Sequence, residues 1–114
     1  MILREERPWG GFEVLHQENG LKIKKIFVLP GNRLSLQSHE HRNEYWVVVR
    51  GRALVTLEDQ THELIPGQGI FIPEQARHRV ANPESAELVF IEVQRGDYLG
   101  EDDITRFQDD YRRI

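Results

Sequence analysis

Short apolar or alternating segments, separated by glycine, proline and asparagine, are the feature that most limits the fold of this chain. The segment Leu21–Leu29 reads L-K-I-K-K-I-F-V-L, which places Leu21 and Ile23 on one face of a strand and Lys22 and Lys24 on the other. We therefore expect a half-exposed strand with solvated lysines. About nine such segments, with no long helical pattern among them, predict an all-β sandwich or barrel.

Length and composition limit the class of protein further. The 114 residues have the size of one domain, and we treat 1–114 as a single one. A net charge of −4 argues against general nucleic-acid binding, and the absence of cysteine excludes disulfides and thiolate metal sites. No apolar run approaches the roughly 20 residues that span a bilayer, and the charged start lacks the core of a secretion signal. We expect a cytoplasmic protein with neither a nucleic-acid nor a membrane partner.

The stretch Gly31–Gly51 contains two histidines, His39 and His41, that are separated by one residue. In an extended strand, residues two apart point to the same face, so this pair would present two imidazoles to one side. Glu44 follows three residues later, and His78 follows a second predicted strand. Three imidazoles and one carboxylate suit a divalent ion such as Zn, Mn, Fe, Co or Ni.

Three polar residues, Arg33, Ser35 and Gln37, share their strand parity with His39 and His41. If the histidines face the interior, these side chains do too, and they line a hydrated cavity because buried polar groups need partners. The alternative is that the intervening leucines face the core and the polar face is solvated. The histidine pair favours the inward-polar arrangement, in which the leucines need cover from a second sheet or subunit.

Two segments of the chain resemble the two sequence motifs of the cupin family. The matching residues are His39, His41, Glu44 and Gly51 in the first motif, and Gly67, Pro73, His78 and Asn82 in the second. The strings R-L-S-L-Q-x-H-x-H-R-x-E-x-W-V-V-V-x-G and Q-x-G-D-Y-L-G-E-D-D-I-x-R-F more narrowly resemble the type II mannose-6-phosphate isomerase domain. That resemblance implies a double-stranded β-helix, the cupin jelly roll, in a domain usually fused behind a mannose-1-phosphate guanylyltransferase. The chain has no Gly-rich nucleotide loop, so we expect no nucleotidyl transfer.

The resemblance implies a metal-dependent interconversion of mannose 6-phosphate and fructose 6-phosphate through a cis-enediolate, which would feed GDP-mannose synthesis. This reaction needs a metal at the reacting oxygens, a base near C1 and C2, and a cation for the phosphate. The expected metal ligands are His39, His41, Glu44 and His78, with Gln37 as a substitute if Glu44 faces away. Catalytic roles are expected for Glu44, Glu92 and Arg33, and substrate-binding roles for Arg33, Ser35, Gln37, Arg77 and Arg106. The base is Glu92 if it points inward, or Glu44 if that residue is not bound to metal.

Two other functions stay open from the sequence, because cupins host many chemistries. One is a non-catalytic sugar- or sugar-phosphate-binding metal cupin, and the other is a small cupin enzyme such as an oxygenase. In the tail, Asp102 or Asp103 would cap one helical turn, and Ile104, Phe107 and Tyr111 have the spacing of an apolar helical stripe. A homodimer is expected through Leu34, Leu36, Phe107 and Tyr111.

Overall fold

The computed structural model describes residues 4–113, which form eleven β-strands and no helix. The strands are β1 (Arg4–Arg7), β2 (Gly10–Glu18), β3 (Leu21–Val28), β4 (Leu36–Ser38), β5 (Arg42–Arg50), β6 (Ala53–Leu57), β7 (Gln60–Leu64), β8 (Gly69–Ile72), β9 (His78–Ala81), β10 (Leu88–Gly96) and β11 (Thr105–Gln108). Nothing in 4–113 is therefore a helix of the length and apolarity that crossing a bilayer demands.

The strands form two antiparallel sheets that pack face to face. The larger sheet has the order β1-β2-β3-β10-β5-β8, and the smaller has the order β11-β4-β9-β6-β7. Strands distant in sequence are neighbours in both sheets; β10, for example, lies between β3 and β5, with Phe90 opposite Ile26 and Val48. The prediction of an all-β fold is confirmed.

An apolar core joins the two sheets. Trp46 and Phe90 enter it from the larger sheet and Val55 and Val80 from the smaller one, and none of the four is more than 4% exposed. Full burial of each such side chain contributes roughly 1.5–3 kcal/mol. The space between the sheets continues from this core into a cavity lined mainly by polar and charged residues.

Lys22 and Lys24 of β3 are buried, so the prediction that they are solvated is wrong. Lys22 is 8% exposed and donates to the carbonyl of Leu99 at 3.1 Å, and Lys24 is 4% exposed and pairs with Glu101. Lys24 also lies over the ring of Phe12, with Nζ 3.9 Å from the centroid. The alternation in Leu21–Leu29 correctly predicts a strand. The face that carries Lys22 and Lys24 is covered by the segment around Leu99, which is 77 residues away in the sequence.

The expected C-terminal helical turn is also wrong, because Thr105–Gln108 is a strand. β11 pairs with β4 in antiparallel register, with Arg106 opposite Gln37 and Thr105 opposite Ser38. The spacing of the apolar tail residues fits a helix, but an open edge of the smaller sheet offers backbone partners that an isolated helical turn lacks.

The predicted strand from Arg33 to His41 is regular only in its centre. Arg33 forms an isolated bridge with Ala81, β4 covers only Leu36–Ser38, and the chain bends before β5 begins. Leu34 packs against the core on its own sheet, so it does not need the cover of a second subunit. This irregularity decides which of the predicted site residues point into the cavity.

Candidate metal centre

Three residues on different elements converge at one point of the cavity: His39, Glu44 and His78. His39 follows β4, Glu44 belongs to β5 and His78 opens β9. Each offers one ligand atom, and these atoms all lie within 4.8 Å of one another. All three residues are at most 4% exposed. The two sheets therefore bring together three of the four ligands expected from the sequence.

Hydrogen bonds to the backbone fix both imidazoles of this cluster. His39 Nδ1 lies 2.7 Å from the carbonyl oxygen of Asp103, and His78 Nδ1 lies 3.0 Å from that of Ala76. A carbonyl oxygen only accepts, so each Nδ1 carries a proton, and Nε2 is the ring nitrogen that faces Glu44 in both histidines. Burial lowers the pKa of His39 to about 4, which keeps its ring neutral near pH 7. Both rings thus direct Nε2 into the cluster, as metal-binding imidazoles with a hydrogen-bonded Nδ1 do.

The carboxylate of Glu44 is held by two neighbours on its own strand. In β5, residues Arg42, Glu44 and Trp46 share the inward face, while Tyr45 is exposed. Trp46 Nε1 donates to Glu44 Oε1 at 2.9 Å, and Arg42 Nε donates to Oε2 at 2.8 Å. Burial alone would raise the pKa of Glu44, but the guanidinium of Arg42 acts in the opposite direction and keeps that pKa well below its usual range. Glu44 is therefore an anion inside the protein.

This donor set fits a divalent transition-metal ion. Two imidazole nitrogens and a carboxylate oxygen are the ligand types that Zn²⁺, Mn²⁺, Fe²⁺, Co²⁺ and Ni²⁺ share, and a three-ligand site leaves positions for other oxygens. Each carboxylate oxygen has two lone pairs, so Glu44 keeps acceptor capacity beside its two hydrogen bonds. His39, Glu44 and His78 therefore could hold such an ion.

His41 does not join this cluster, and the prediction that it shares a face with His39 is wrong. Its side chain is 52% exposed, and its Nδ1 lies 3.5 Å from Asp97 Oδ1. Residues 39–41 form a bend between β4 and β5, so the two-residue periodicity of a strand does not apply to them. Gly96 allows this tight approach, because a Cβ there would lie 2.0 Å from the carbonyl oxygen of His41.

Two of the predicted substrate-binding arginines, Arg33 and Arg77, lie outside the cavity. Arg33 is exposed and donates from Nε and Nη2 to Asp110 at 2.7 and 2.9 Å, and the expectation that it faces the interior is wrong. Arg33 lies outside β4 and forms only an isolated bridge with Ala81, so the side-chain alternation of β4 does not extend to Arg33. Arg77 is also exposed and lies over the ring of Phe107, 4.4 Å from the centroid.

The other predicted substrate-binding residues, Ser35, Gln37 and Arg106, line the cavity. Ser35 is fully buried, and Gln37 Nε2 donates to its Oγ at 3.1 Å. The predicted inward direction therefore holds for Ser35, Gln37 and His39. The first and last residues of the alternating series, Arg33 and His41, point to solvent instead. Gln37 is not needed as a substitute ligand, because Glu44 faces the cavity.

Glu92 points inward from β10, as the sequence hypothesis required, and lines the same cavity. It is 5% exposed, and its Oε1 accepts from Gln94 Nε2 at 3.0 Å. Burial and the neighbouring negative charge of Glu44 raise the pKa of Glu92 to about 8. Two close carboxyl groups thus have opposite shifts, with Glu44 ionised and Glu92 protonated near neutral pH.

Sequence reasoning missed several residues that build the site, chiefly Arg42, Lys24 and Asp103. Arg42 could have been found, since it stands two residues before Glu44 and shares its face of β5. Lys24 was assigned to solvent, and its place beside the cavity depends on the distant Glu101. The backbone and carboxylate of Asp103 hold the bend at His39 through contacts more than 60 residues apart in the sequence. Only tertiary structure brings that contact about.

Comparison with known proteins gives the family and its extent. A family model described as "Mannose-6-phosphate isomerase C-terminal" matches residues 3–109. The chain is 50% identical over 107 residues to the alginate biosynthesis protein AlgA of Pseudomonas aeruginosa. The aligned region covers 94% of this chain and 22% of AlgA. It is 46% identical over 106 residues to a mannose-1-phosphate guanylyltransferase of Sinorhizobium fredii, with coverage of 93% and 21%. The chain therefore spans about a fifth of the length of these curated relatives.

Solved structures give the same fold. An RmlC-like cupin from Shewanella frigidimarina superposes with a TM-score of 0.78 at 20% sequence identity, covering 89% of this chain and 87% of that one. At this identity the likeness concerns the fold alone. The cupin jelly roll that the sequence resemblance implied is confirmed.

Proposed function

The chain belongs to the mannose-6-phosphate isomerase C-terminal family, and from this premise we propose that it interconverts mannose 6-phosphate and fructose 6-phosphate with the help of a divalent metal ion. The observation that carries the proposal is the convergence of His39 Nε2, His78 Nε2 and the Glu44 carboxylate in a polar cavity. The relatives are several times longer, so the activity of this chain by itself belongs to the proposal.

The positive charge of an ion held by the ligand cluster would complement the negative charge that develops in the reaction. Aldose–ketose isomerisation develops negative charge on the oxygens of C1 and C2, and a divalent ion held by His39, Glu44 and His78 would stabilise that charge. Trp46 and two backbone carbonyls already orient Glu44 and the two imidazoles, so these three ligands need little reorganisation when the site is filled, whereas Arg42 has to withdraw from His39 Nε2 and Glu44 Oε2.

Glu92 is the residue that we propose to carry the proton between C1 and C2. It is buried and lines the cavity that contains the ligand cluster, and its raised pKa is close to the working range of a proton carrier. In its ionised form it takes a proton from carbon, and in its protonated form it returns one. Gln94 orients the carboxyl group by donating to Oε1. Glu44 is assigned to the metal, so Glu92 is the better candidate for the base.

Substrate contacts are proposed for Ser35, Gln37 and Arg106, which line the cavity beside the ligand cluster. We leave Arg33 and Arg77 out of the proposed site, because the first is paired with Asp110 and the second stacks on Phe107 outside the cavity. A catalytic role for Arg33 therefore has no support from its position.

A second candidate function is a metal-free module that binds a sugar phosphate without converting it. One observation favours it: the guanidinium of Arg42 already donates to Glu44 and contacts His39 Nε2 at 3.2 Å. The cluster is thus satisfied by a side chain of the protein itself. The family and the orientation of both imidazoles favour the isomerase over this module.

The experiment that tests the proposal is an isomerisation assay on protein reconstituted with Zn²⁺, Mn²⁺, Co²⁺, Fe²⁺ or Ni²⁺. Mannose 6-phosphate is supplied, and fructose 6-phosphate is measured before and after chelation. We expect turnover that disappears on chelation and in His78→Ala. His41→Ala is the matched control, because it removes an exposed imidazole from outside the cluster. Metal binding without turnover for any ion would refute the isomerase. Failure to bind metal would refute both the ligand assignment and the mechanism, and would favour the metal-free binding module.

The proposal also covers the cellular compartment and the oligomeric state of the protein. We propose that it takes place in the cytoplasm and that the protein is a homodimer. Of the residues expected at the dimer contact, Phe107 is 38% exposed, whereas Leu34 and Tyr111 pack against the core. Sedimentation of the free chain tests the association, and a monomer at all concentrations would refute it.

A further inference from the structure

Three residues on adjacent strands of the smaller sheet form one row across the cavity. Arg106 on β11 is opposite Gln37 on β4, and Gln37 is opposite His78 on β9. Side chains directly opposite each other in neighbouring strands point to the same face, and all three of these line the cavity. Neighbouring strands are about 4.8 Å apart, so Arg106 stands roughly 10 Å from His78 along the row. The cavity thus has an imidazole at one position of the row and a guanidinium two strands away.

The guanidinium of Arg106 is short of partners. Its Nε is buried and has no hydrogen-bond partner within residues 4–113, and no ion pair of Arg106 is formed there. A buried N–H without an acceptor is costly, so an unpartnered one in a native protein calls for an explanation, and an acceptor on a bound ligand is one. Arginine cannot escape this cost by losing its proton at ordinary pH.

Of the four other arginines that line the cavity, Arg7 and Arg113 repel Arg106 electrostatically, while the carboxylate of Asp109 attracts it. Arg113 donates from Nε and Nη2 to the fully buried carboxylate of Asp109, at 2.7 and 3.0 Å. Arg7 is paired with the exposed carboxylate of Glu5 at 3.1 Å. A guanidinium has five N–H donors, so both residues keep donors beyond these pairs. Arg7 and Arg113 come from opposite ends of the chain, and the fold places both in the lining of the cavity that Arg106 enters.

We propose that Arg106, flanked by Arg7 and Arg113, is the subsite that binds the phosphate group of the substrate. The proposal rests on the proposed isomerase function for the identity of the ligand, and on the row of residues and the unpartnered guanidinium for the site itself. A phosphate monoester dianion brings three acceptor oxygens, and a planar guanidinium binds two of them side by side. With the phosphate at Arg106, the reacting end of a hexose phosphate extends along the row, past Gln37, towards His78.

The first test uses metal-free protein and inorganic phosphate, so that neither turnover nor a bound ion affects the result. Binding is followed by calorimetry at low ionic strength, and by the fluorescence of Trp9 and Trp46, which are the two tryptophans of the chain and line this cavity. We expect saturable binding that weakens at least about tenfold in Arg106→Gln. The loss should be smaller in Arg106→Lys, which keeps the positive charge but lacks the paired N–H donors of a guanidinium. Arg77→Gln is the control, since it removes the same charge from outside the cavity, and we expect its affinity to stay within about twofold of the wild type.

Three results would overturn the subsite: no saturable binding of phosphate, equal affinity in Arg106→Gln and wild type, or equal weakening in Arg77→Gln. A second arm compares fructose 6-phosphate, fructose and inorganic phosphate on metal-loaded protein. We expect Arg106→Gln to weaken binding of fructose 6-phosphate and to leave fructose unchanged. Inorganic phosphate that binds as tightly as fructose 6-phosphate would overturn the assignment to the substrate. Wild-type protein that binds phosphate through Arg106 but never isomerises mannose 6-phosphate would refute the proposed function alone.

Discussion

The guanidinium of Arg42 lies between the imidazole of His39 and the carboxylate of Glu44. Its Nη2 is 3.2 Å from His39 Nε2, and its Nε donates to Glu44 Oε2 at 2.8 Å. His39 Nδ1 carries the proton that it donates to Asp103, so Nε2 accepts from Arg42. All three side chains are at most 6% exposed. Arg42 thus uses the same two acceptors that a divalent ion would bind.

We expect Arg42→Gln to bind divalent ions more tightly than the wild type. The substitution removes a positive charge that occupies the ligand atoms and repels an incoming cation, so affinity for Zn²⁺ or Co²⁺ should rise at least about tenfold, equivalent to ~1.4 kcal/mol. Competition with a chromophoric chelator measures it. Arg95→Gln, an exposed arginine on β10, is the control for net charge. Unchanged or weaker affinity in Arg42→Gln would contradict a competing role for Arg42.

The same variant should unfold more easily when no metal is present. Removing Arg42 leaves the carboxylate of Glu44 buried without its cation, and breaking a buried pair costs about 3–5 kcal/mol. Urea unfolding in chelator-treated buffer measures this loss, and added Zn²⁺ should restore more stability to Arg42→Gln than to the wild type. Equal gains from metal in the two proteins would mean that Arg42 and the ion do not share acceptors.

Replacing either imidazole of the cluster should remove metal binding, whereas replacing the exposed histidine of the motif should not. We expect His39→Ala and His78→Ala to lose at least about a hundredfold in Zn²⁺ affinity, more than the loss typical of a residue that only supports a ligand. His41→Ala should stay near the wild type, because its ring faces Asp97 in solvent. Isothermal titration measures all three. A loss in His41→Ala as large as in His78→Ala would restore His41 to the ligand set.

Asp103 should act on the metal site without touching the metal. Its carboxylate accepts from the backbone N–H groups of Glu40 and His41 at 3.0 and 2.9 Å, and its carbonyl fixes His39 Nδ1. We expect Asp103→Ala to loosen this bend and to lower metal affinity about 10–100-fold. Asp102→Ala is the matched control, since Asp102 hydrogen-bonds only the exposed Tyr98 side chain within residues 4–113. Equal effects of the two variants would show that the bend does not depend on Asp103.

The sequence was sufficient for features that depend on neighbours along the chain. The alternation in β3 and the Gly and Pro turns predict an all-β chain. His78 was found because the sequence motif marks it. These inferences hold because each depends on local geometry.

The sequence-based predictions are wrong where a local bend, or contact with a segment distant in the sequence, determines the direction or the burial of a residue. His41 was assigned to the face of His39, but a bend interrupts the strand, and one step of register moves a side chain to the other face. The tail residues were assigned to a helical turn, although their backbone completes the edge beside β4. Lys24 was assigned to solvent, although Glu101 covers it. Each of these contacts joins residues that no local pattern relates.

The stability of the metal-free protein should fall as pH rises, because Glu92 binds its proton more tightly in the folded state. Its pKa is raised from 4.5 to about 8 by burial and by Glu44, with Lys24 and Arg42 acting in the opposite direction. Between these values the folded protein holds a proton that the unfolded chain releases. The contribution of Glu92 is therefore fully present below pH 4.5 and is lost as pH rises towards 8, by at most about 1.4 kcal/mol per pH unit.

We expect Glu92→Gln to flatten this dependence, since an amide stays neutral at every pH and has nearly the same shape. Urea unfolding of both proteins at intervals from pH 5 to pH 8, in buffer treated to remove metal, gives the two slopes. Glu63→Gln, an exposed carboxyl on β7, is the control and should keep the wild-type slope. Parallel slopes for the wild type and Glu92→Gln would show that Glu92 ionises normally in the folded protein, and its assignment as the proton carrier near neutral pH would lose its basis.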